Sequence, residues 1–525
     1  MTSPHRWFRL LPHTAVLAAF LAVPLAAAAP SGVLSIAVAT ETSSLDPAVN
    51  YDAAGTIYLA AVYDGLVKAV GATTVQIVPN VATSWTTSKD GKTWTFQLRP
   101  GVKFHDGSPL NAAAVKFSFD RFLGAKRGAA ADFEAVSKVE VAGPLSVRFV
   151  LKYPFSSFLN SLTSLSGPMI VSPKTVGNDK ITASGDSILN KIDAGSGPYT
   201  LASYVRGQRL TLKAFPGYWG GWAGSHSETV NITWPASSST QRLELEQGEV
   251  DAAMNLSVQD FDAVAHNPAF KVVQNTSQLI HDIRINTTRE PLKDARVRQA
   301  LSYAFNYDGV VKGVYRGYAT RMLGIAPNGF KNYVEASRPY TYDLVKAKAL
   351  LAQAGYAGKP LNLTIGYLPE ETQQLQVAQI FQADLAKIGV TARLQGMPLS
   401  TYFKLIDSPQ TSPDLFMGSW TMDYNDNAQL YTTFYTSSNT PPAGGNYSFY
   451  NDPATDKALA LAARSVDEKT TFALYKQIAD RVYAAAPQIW TVQPIDRVAL
   501  SSKIKGYSYN ALYGVNYFPV YDMSK

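Results

Sequence analysis

The chain has 525 residues, 46% of them apolar, a formal charge of +7 and no cysteine. A chain this long exceeds what one hydrophobic core supports, since single cores stop growing beyond roughly 250–300 residues, so several domains are expected. The missing cysteines exclude disulfides, thiolate metal sites and cysteine nucleophiles, and the scattered lysines and arginines exclude the basic stripe of a nucleic-acid binder.

The first 28 residues read as an export signal that is cleaved before the fold begins. Arg6 and Arg9 give a positive start, Thr14 to Val23 an apolar stretch, and Ala26 to Ala29 the small residues of a cleavage site. Pro12 and Pro24 leave too short an apolar run to span a bilayer, which needs roughly 20 residues. With no cysteine to carry a lipid, the mature chain is expected to be free in a periplasm. Strand signals follow at Val33 to Ala39. Leu45-Asp46-Pro47 then precedes Tyr51, which stands either to stack on a ligand or to pack a turn.

Tyr63-Asp-Gly-Leu66 and Ala82-Thr-Ser-Trp85 lead into the most informative run, Asp90 to Gly107. Asp90-Gly91 predicts a tight hairpin turn, the alternation of Trp94, Phe96 and Leu98 a half-buried strand, and Pro100-Gly101 and Asp106-Gly107 two further turns. Asn111 predicts a helix cap for a segment with Val115 and Phe119 on one face. Leu145 to Lys152 reads as a strand, and 154–194 as irregular. Gly195-Ser-Gly-Pro-Tyr199, the strand Leu210 to Lys213, Tyr218-Trp219, Asn231-Ile-Thr-Trp234, a helix near 239–247 and Gly248-Glu-Val-Asp251 come next. Asp294 predicts a cap for a helix carrying Val297, Leu301, Ala304 and Phe305. A helix after Asp343 with Leu344, Leu350 and Leu351 inward, a strand at 361–367, a helix at 373–388 and a strand from Val390 make an alternating unit that implies parallel pairing. Aromatic, strand-like segments are expected around 507–521.

These blocks together closely resemble the extracellular solute-binding proteins of family 5, the peptide and nickel receptors of bacterial ABC importers. The resemblance spans nearly all of the mature chain. It implies an α/β fold of the type II periplasmic-binding-protein class, with two lobes around a ligand cleft and an extra domain. The implied division is a signal at 1–28, domain I at 29–66, 195–278 and 495–525, the extra domain at 67–194, and the opposing lobe at 279–494. The implied role is capture of a small solute by hinge closure and its delivery to inner-membrane ABC permease subunits, by a monomer that needs no cofactor.

Within that resemblance Ser419-Trp-Thr-Met-Asp-Tyr424 is the sharpest clue. A similar block in oligopeptide receptors pairs its backbone with an extended peptide and binds the ligand's amine through an aspartate. Carried over by position, Ser419, Trp420 and Thr421 are the pairing residues and Asp423 the amine partner, with Tyr424 and Tyr51 beside the ligand. On the residues alone, Asp423 and Asp426 could equally cap a helix starting near Gln429, and Trp420 could be interlobe core. Leu368 to Gln374 lacks the arginine with which dipeptide receptors hold a ligand carboxylate. A longer peptide, a modified amine, an opine, an oligosaccharide or a nickel chelate therefore stays open. An enzyme is disfavoured. The six histidines show no metal-ligand spacing, with His105 expected to be structural; Ser502-Lys-Ile-Lys505 has no Lys-Thr-Gly after it; and no nucleophile elbow or phosphate loop exists. An exported hydrolase on the same scaffold is the alternative.

Overall fold

The structure, a computed structural model, describes residues 30–72, 76–442, 444–514 and 518–525; the export segment read at 1–28 lies outside them. Gly91, at φ 68°, turns the chain between strands Ala82–Thr87 and Thr93–Leu98. Ser146–Leu151 and Val136–Gly143 extend this pair to four antiparallel strands in the order 82–87, 93–98, 146–151, 136–143. The helix Ala112–Ala125 is capped by Asn111, whose side chain accepts the Ala114 N–H at 3.0 Å. Phe119, on its inner face, meets Phe149 edge to face with centroids 4.7 Å apart, in a core that also holds Phe96, Phe122 and Phe158. Each such ring contributes about 1.5–3 kcal/mol by leaving water.

The other strands form a twelve-stranded sheet through which one long strand, Gln488–Ser501, runs. Up to that strand the order is 199–205, 209–214, 229–233, 33–37, 252–254, with 33–37 parallel to both of its neighbours. Beyond it come 280–285, 415–420, 361–367 and 390–396. Strands Leu361–Tyr367 and Val390–Gly396 are parallel and joined by the helix Thr372–Lys387, as the alternating pattern predicts. Elsewhere hairpins make the sheet mixed rather than parallel. Two hydrophobic cores flank the crossing, one around Ile36, Leu212 and Val230, the other around Ile283, Leu301 and Phe381. Met169, Val171 and Leu189 pack into the first of these, not with the four-stranded sheet.

The sequence blocks that are easiest to recognise turn out to be joints. Asp64 accepts from Asn80 Nδ2 at 3.1 Å, Ser196 Oγ at 2.9 Å and Trp219 Nε1 at 2.9 Å, tying three blocks together. Asp46 is fully buried and takes both terminal nitrogens of Arg121 and the Ser187 hydroxyl. His105 is held between Asp193 and the Gly197 carbonyl. Gly195 passes so close to the Val62 carbonyl that a Cβ would stand 1.8 Å from its oxygen.

One expectation fails. The described residues of 507–521 contain no strand. Gly506, Gly514 and Pro519 break the segment, and its aromatics act as plugs: Tyr507 packs on Phe518, and the Tyr509 hydroxyl donates to the Thr276 carbonyl at 3.1 Å and to Asp496 at 2.7 Å.

Candidate ligand-binding site

The two halves of the large sheet meet at two crossings, 276–280 and 493–495. Buried polar groups hold them. Ser277 Oγ donates to the Pro494 carbonyl at 2.7 Å, and Gln493 Nε2 donates to the carbonyls of Ser277 at 2.5 Å and Asn328 at 3.0 Å. On one side, parallel strands 33–37, 229–233 and 252–254 end at the loops that open with Val38, Trp234 and Asn255. On the other, parallel strands 361–367 and 415–420 end at Leu368 and Thr421. Ligands of α/β folds collect where parallel strands end, because side chains and free backbone groups converge there.

The first feature of this cleft is an acidic cradle. Gln429, on the helix Ala428–Tyr435, donates its Nε2 to Asp423 Oδ2 at 2.7 Å and to Asp132 Oδ2 at 3.3 Å, while its Oε1 accepts the Asp423 N–H at 2.9 Å. The Tyr51 hydroxyl adds a bond to Asp423 Oδ2 at 3.0 Å. Three segments far apart in sequence thus meet here, and two of them bring a carboxylate each to one amide nitrogen. Burial, and then the charge of Asp423, pushes Asp132 up to about 7. Burial also raises Asp423, against the hydrogen bonds from Gln429 and Tyr51. Tyr51 is raised by burial first and by the two aspartates second. The pair therefore holds a proton near neutrality, and a cation is the partner that would displace it.

Asp426 does something different. Its Oδ1 accepts the N–H of Ala428, the first residue of the helix, at 3.0 Å, from one position before the N-cap Asn427, and Asn332 Nδ2 at 2.6 Å and Ser157 Oγ at 2.7 Å complete its shell. Of the other residues singled out in the sequence, Ser419 and Thr421 are exposed at the strand end. Beyond Phe416 the Leu415–Trp420 strand has no partner among the described residues on the side of strand 361–367, because that pairing stops at the Gly366–Phe416 register. The pairing expected of Trp420 is one of its backbone, and the rings of Trp420 and Tyr424 turn inward. The Trp420 ring packs on Phe434 at 5.2 Å, in the lobe's core, and Tyr424 is 4% exposed. Asp132 and Gln429 escaped the sequence reading. Asp132 sits among alanines, and Gln429 looked like any first-turn helix residue.

The second feature is a cavity of about 750 Å³ between the lobes. Asn255, Ser257, Phe261 and Arg497 line it from one lobe, His281, Tyr315, Glu370 and Glu371 from the other. His281 lies directly across the ladder from Ser419, so the cavity adjoins the exposed strand end. His281 Nδ1 is 2.7 Å from the Tyr315 hydroxyl, and burial lowers its pKa to about 4, which keeps the ring neutral. Among the described residues, no group of three or more His, Asp or Glu side chains is disposed to hold a metal ion.

A family model, bacterial extracellular solute-binding proteins, family 5 Middle, matches residues 76–442. The probable D,D-dipeptide-binding periplasmic protein DdpA of Escherichia coli (strain K12) is 30% identical over 493 residues, 93% of this chain and 93% of its own. The glutathione-binding protein GsiB of Pectobacterium atrosepticum is 30% identical over 514 residues, 97% of this chain and 96% of its own. The periplasmic binding protein DppA of Helicobacter pylori, solved in complex with the peptide STSA, superposes with a TM-score of 0.77 at 28% identity, covering 94% of this chain and 98% of that one.

Proposed function

This chain belongs to the bacterial extracellular solute-binding proteins, family 5, and from that premise we propose that it captures small peptides, or peptide-like amines, by their amino group and hands them to the permease of an ABC importer. The observation that carries this reading is the cradle of Asp423, Asp132, Gln429 and Tyr51 beside a strand edge that lacks a partner. An ammonium group has three donors and no acceptor, and two carboxylates with a tyrosine hydroxyl meet that demand. The free edge at Ser419 and Thr421 supplies backbone groups for an extended peptide, which grips many sequences alike. Relatives named for a D,D-dipeptide and for glutathione, and a neighbour holding STSA, all involve peptidic compounds.

Capture proceeds by closure about the crossings at 276–280 and 493–495, with the ligand touching both lobes and the extra domain at once. Domain I (29–66, 195–278, 495–525), the extra domain (67–194) and the opposing lobe (279–494) are the moving parts in this reading. The protein acts in the periplasm as a monomer, after loss of an export segment and without a lipid anchor. It performs no covalent chemistry and binds no nucleic acid. Titration calorimetry with trialanine and N-acetyl-trialanine tests the amine contact. The free amine is expected to bind and the acetylated peptide to fail, and equal binding of both would overturn the assignment.

A further inference from the structure

Arg497 lies on the long crossing strand, just past the hinge, and lines the interlobe cavity. It is only 9% exposed, yet its Nη1 has no hydrogen-bond partner among the described residues. The guanidinium is held over two rings, Phe261 at 4.4 Å and Tyr318 at 4.1 Å from the centroids, which come from the two lobes. Stacking of this kind fixes the plane of the fork and leaves an edge for a planar oxyanion.

Arg497 feels the charge of Asp262 and has the Tyr318 side chain as a hydrogen-bond partner, so Nη1 is the part of the fork left over. Arg316 pairs with Asp262 at 2.8 Å, and Asp262 also accepts from the Tyr318 hydroxyl at 3.1 Å. Asp496 accepts from Tyr509, and Glu370 Oε1 accepts the Leu399 N–H at 3.0 Å. Glu371 also lines the cavity and would repel an anion from its own wall. A buried donor without a partner costs stability unless something fills it, and a carboxylate is the group whose shape matches a guanidinium edge.

We propose that Arg497 is the anchor for the ligand's carboxylate, so that the site selects a zwitterion: amine in the acidic cradle, carboxylate on the crossing strand. The assignment rests on the receptor reading above. It places the anionic end of the ligand on a hinge strand, against rings from both lobes, so occupancy is read where the lobes turn.

The test uses the mature protein, a pool of random tripeptides with free carboxylates and the same pool amidated, with native mass spectrometry weighing what stays bound. The wild type is expected to retain the free acids over the amides on the order of tenfold or more, the factor that a charge-assisted bond of this type supplies. Arg497→Gln is expected to bind both pools alike. Arg497→Lys, which keeps the charge, is expected to retain most of the preference and guards against a folding defect. A wild type without preference, or an Arg497→Gln variant that keeps it, overturns the anchor while leaving amine capture standing. Failure of the wild type to hold any peptide of either pool overturns both.

Discussion

Replacing Asp423 by asparagine keeps size and one acceptor but removes the charge from the cradle. A charge-assisted hydrogen bond contributes about 1.5–3 kcal/mol, so trialanine affinity should fall roughly 10- to 150-fold in calorimetry. Unchanged affinity would reduce Asp423 to a partner of Gln429. Asp132 makes a separate prediction. Its carboxyl is raised to about 7, by burial and then by Asp423, so below that pH a proton must leave before an ammonium enters. Amine affinity should therefore rise between pH 6 and 7.5, and Asp132→Asn should flatten the rise. The sign reverses for the unliganded protein. The native state holds this proton more tightly than the unfolded chain, so the stability linked to it is present at low pH and is lost as pH rises from about 4 toward 7. Melting temperatures of the wild type should fall across that window more steeply than those of Asp132→Asn. None of this was legible beforehand for Asp132, because a lone aspartate among alanines carries no pattern. Asp423 was legible only through its block, and the residues alone left it open as a cap. In the structure Asp426 accepts the first helical N–H, from Ala428.

At the scale of elements, local signals did most of the work. Asn111, Asp294 and Asp343 each cap the helix they announce, and the turns at Gly91 and Gly389 sit at positive φ between the elements they separate. These features are local in their physics: an oxygen reaching an N–H two or three residues on, or a backbone that only glycine enters cheaply. The segment around 507–521 misled because aromatics suggest strands, whereas here they fill gaps between elements distant in sequence. For Trp420 and Tyr424 the motif does not say which face of the strand end a ring takes; both rings turn inward here. The Gly195 joint is testable by itself. Alanine there would drive a Cβ to 1.8 Å from the Val62 carbonyl oxygen, and backbone lies on both sides of that contact. Gly195→Ala should cost at least the upper end of the ~1–3 kcal/mol typical of overpacking, read as a lower denaturant midpoint. A wild-type midpoint would mean that the two backbones separate freely.

For the whole molecule, the decisive property is that one strand, Gln488–Ser501, belongs to both halves of the sheet and is accompanied, among the described residues, by a single second crossing. Two connections permit rotation about one axis and little else. The alternating second half could be read from periodicity, whereas the α/β class of the whole and its two-lobed arrangement came from resemblance, because crossings depend on pairings more than 200 residues apart in sequence, such as Thr276 with Ile495. Contacts already join the lobes near the cavity, including Arg316 to Asp262 and Tyr318 to Asp262. A ligand that spans the cradle and the cavity adds partners on both sides and so favours the shut form by its difference in affinity for the two forms. Small-angle scattering of the protein alone and saturated with trialanine measures this directly. The account predicts a smaller radius of gyration with peptide bound, and peptide recovered at its original mass. An identical profile under saturation, or a shortened peptide in the supernatant, would contradict it.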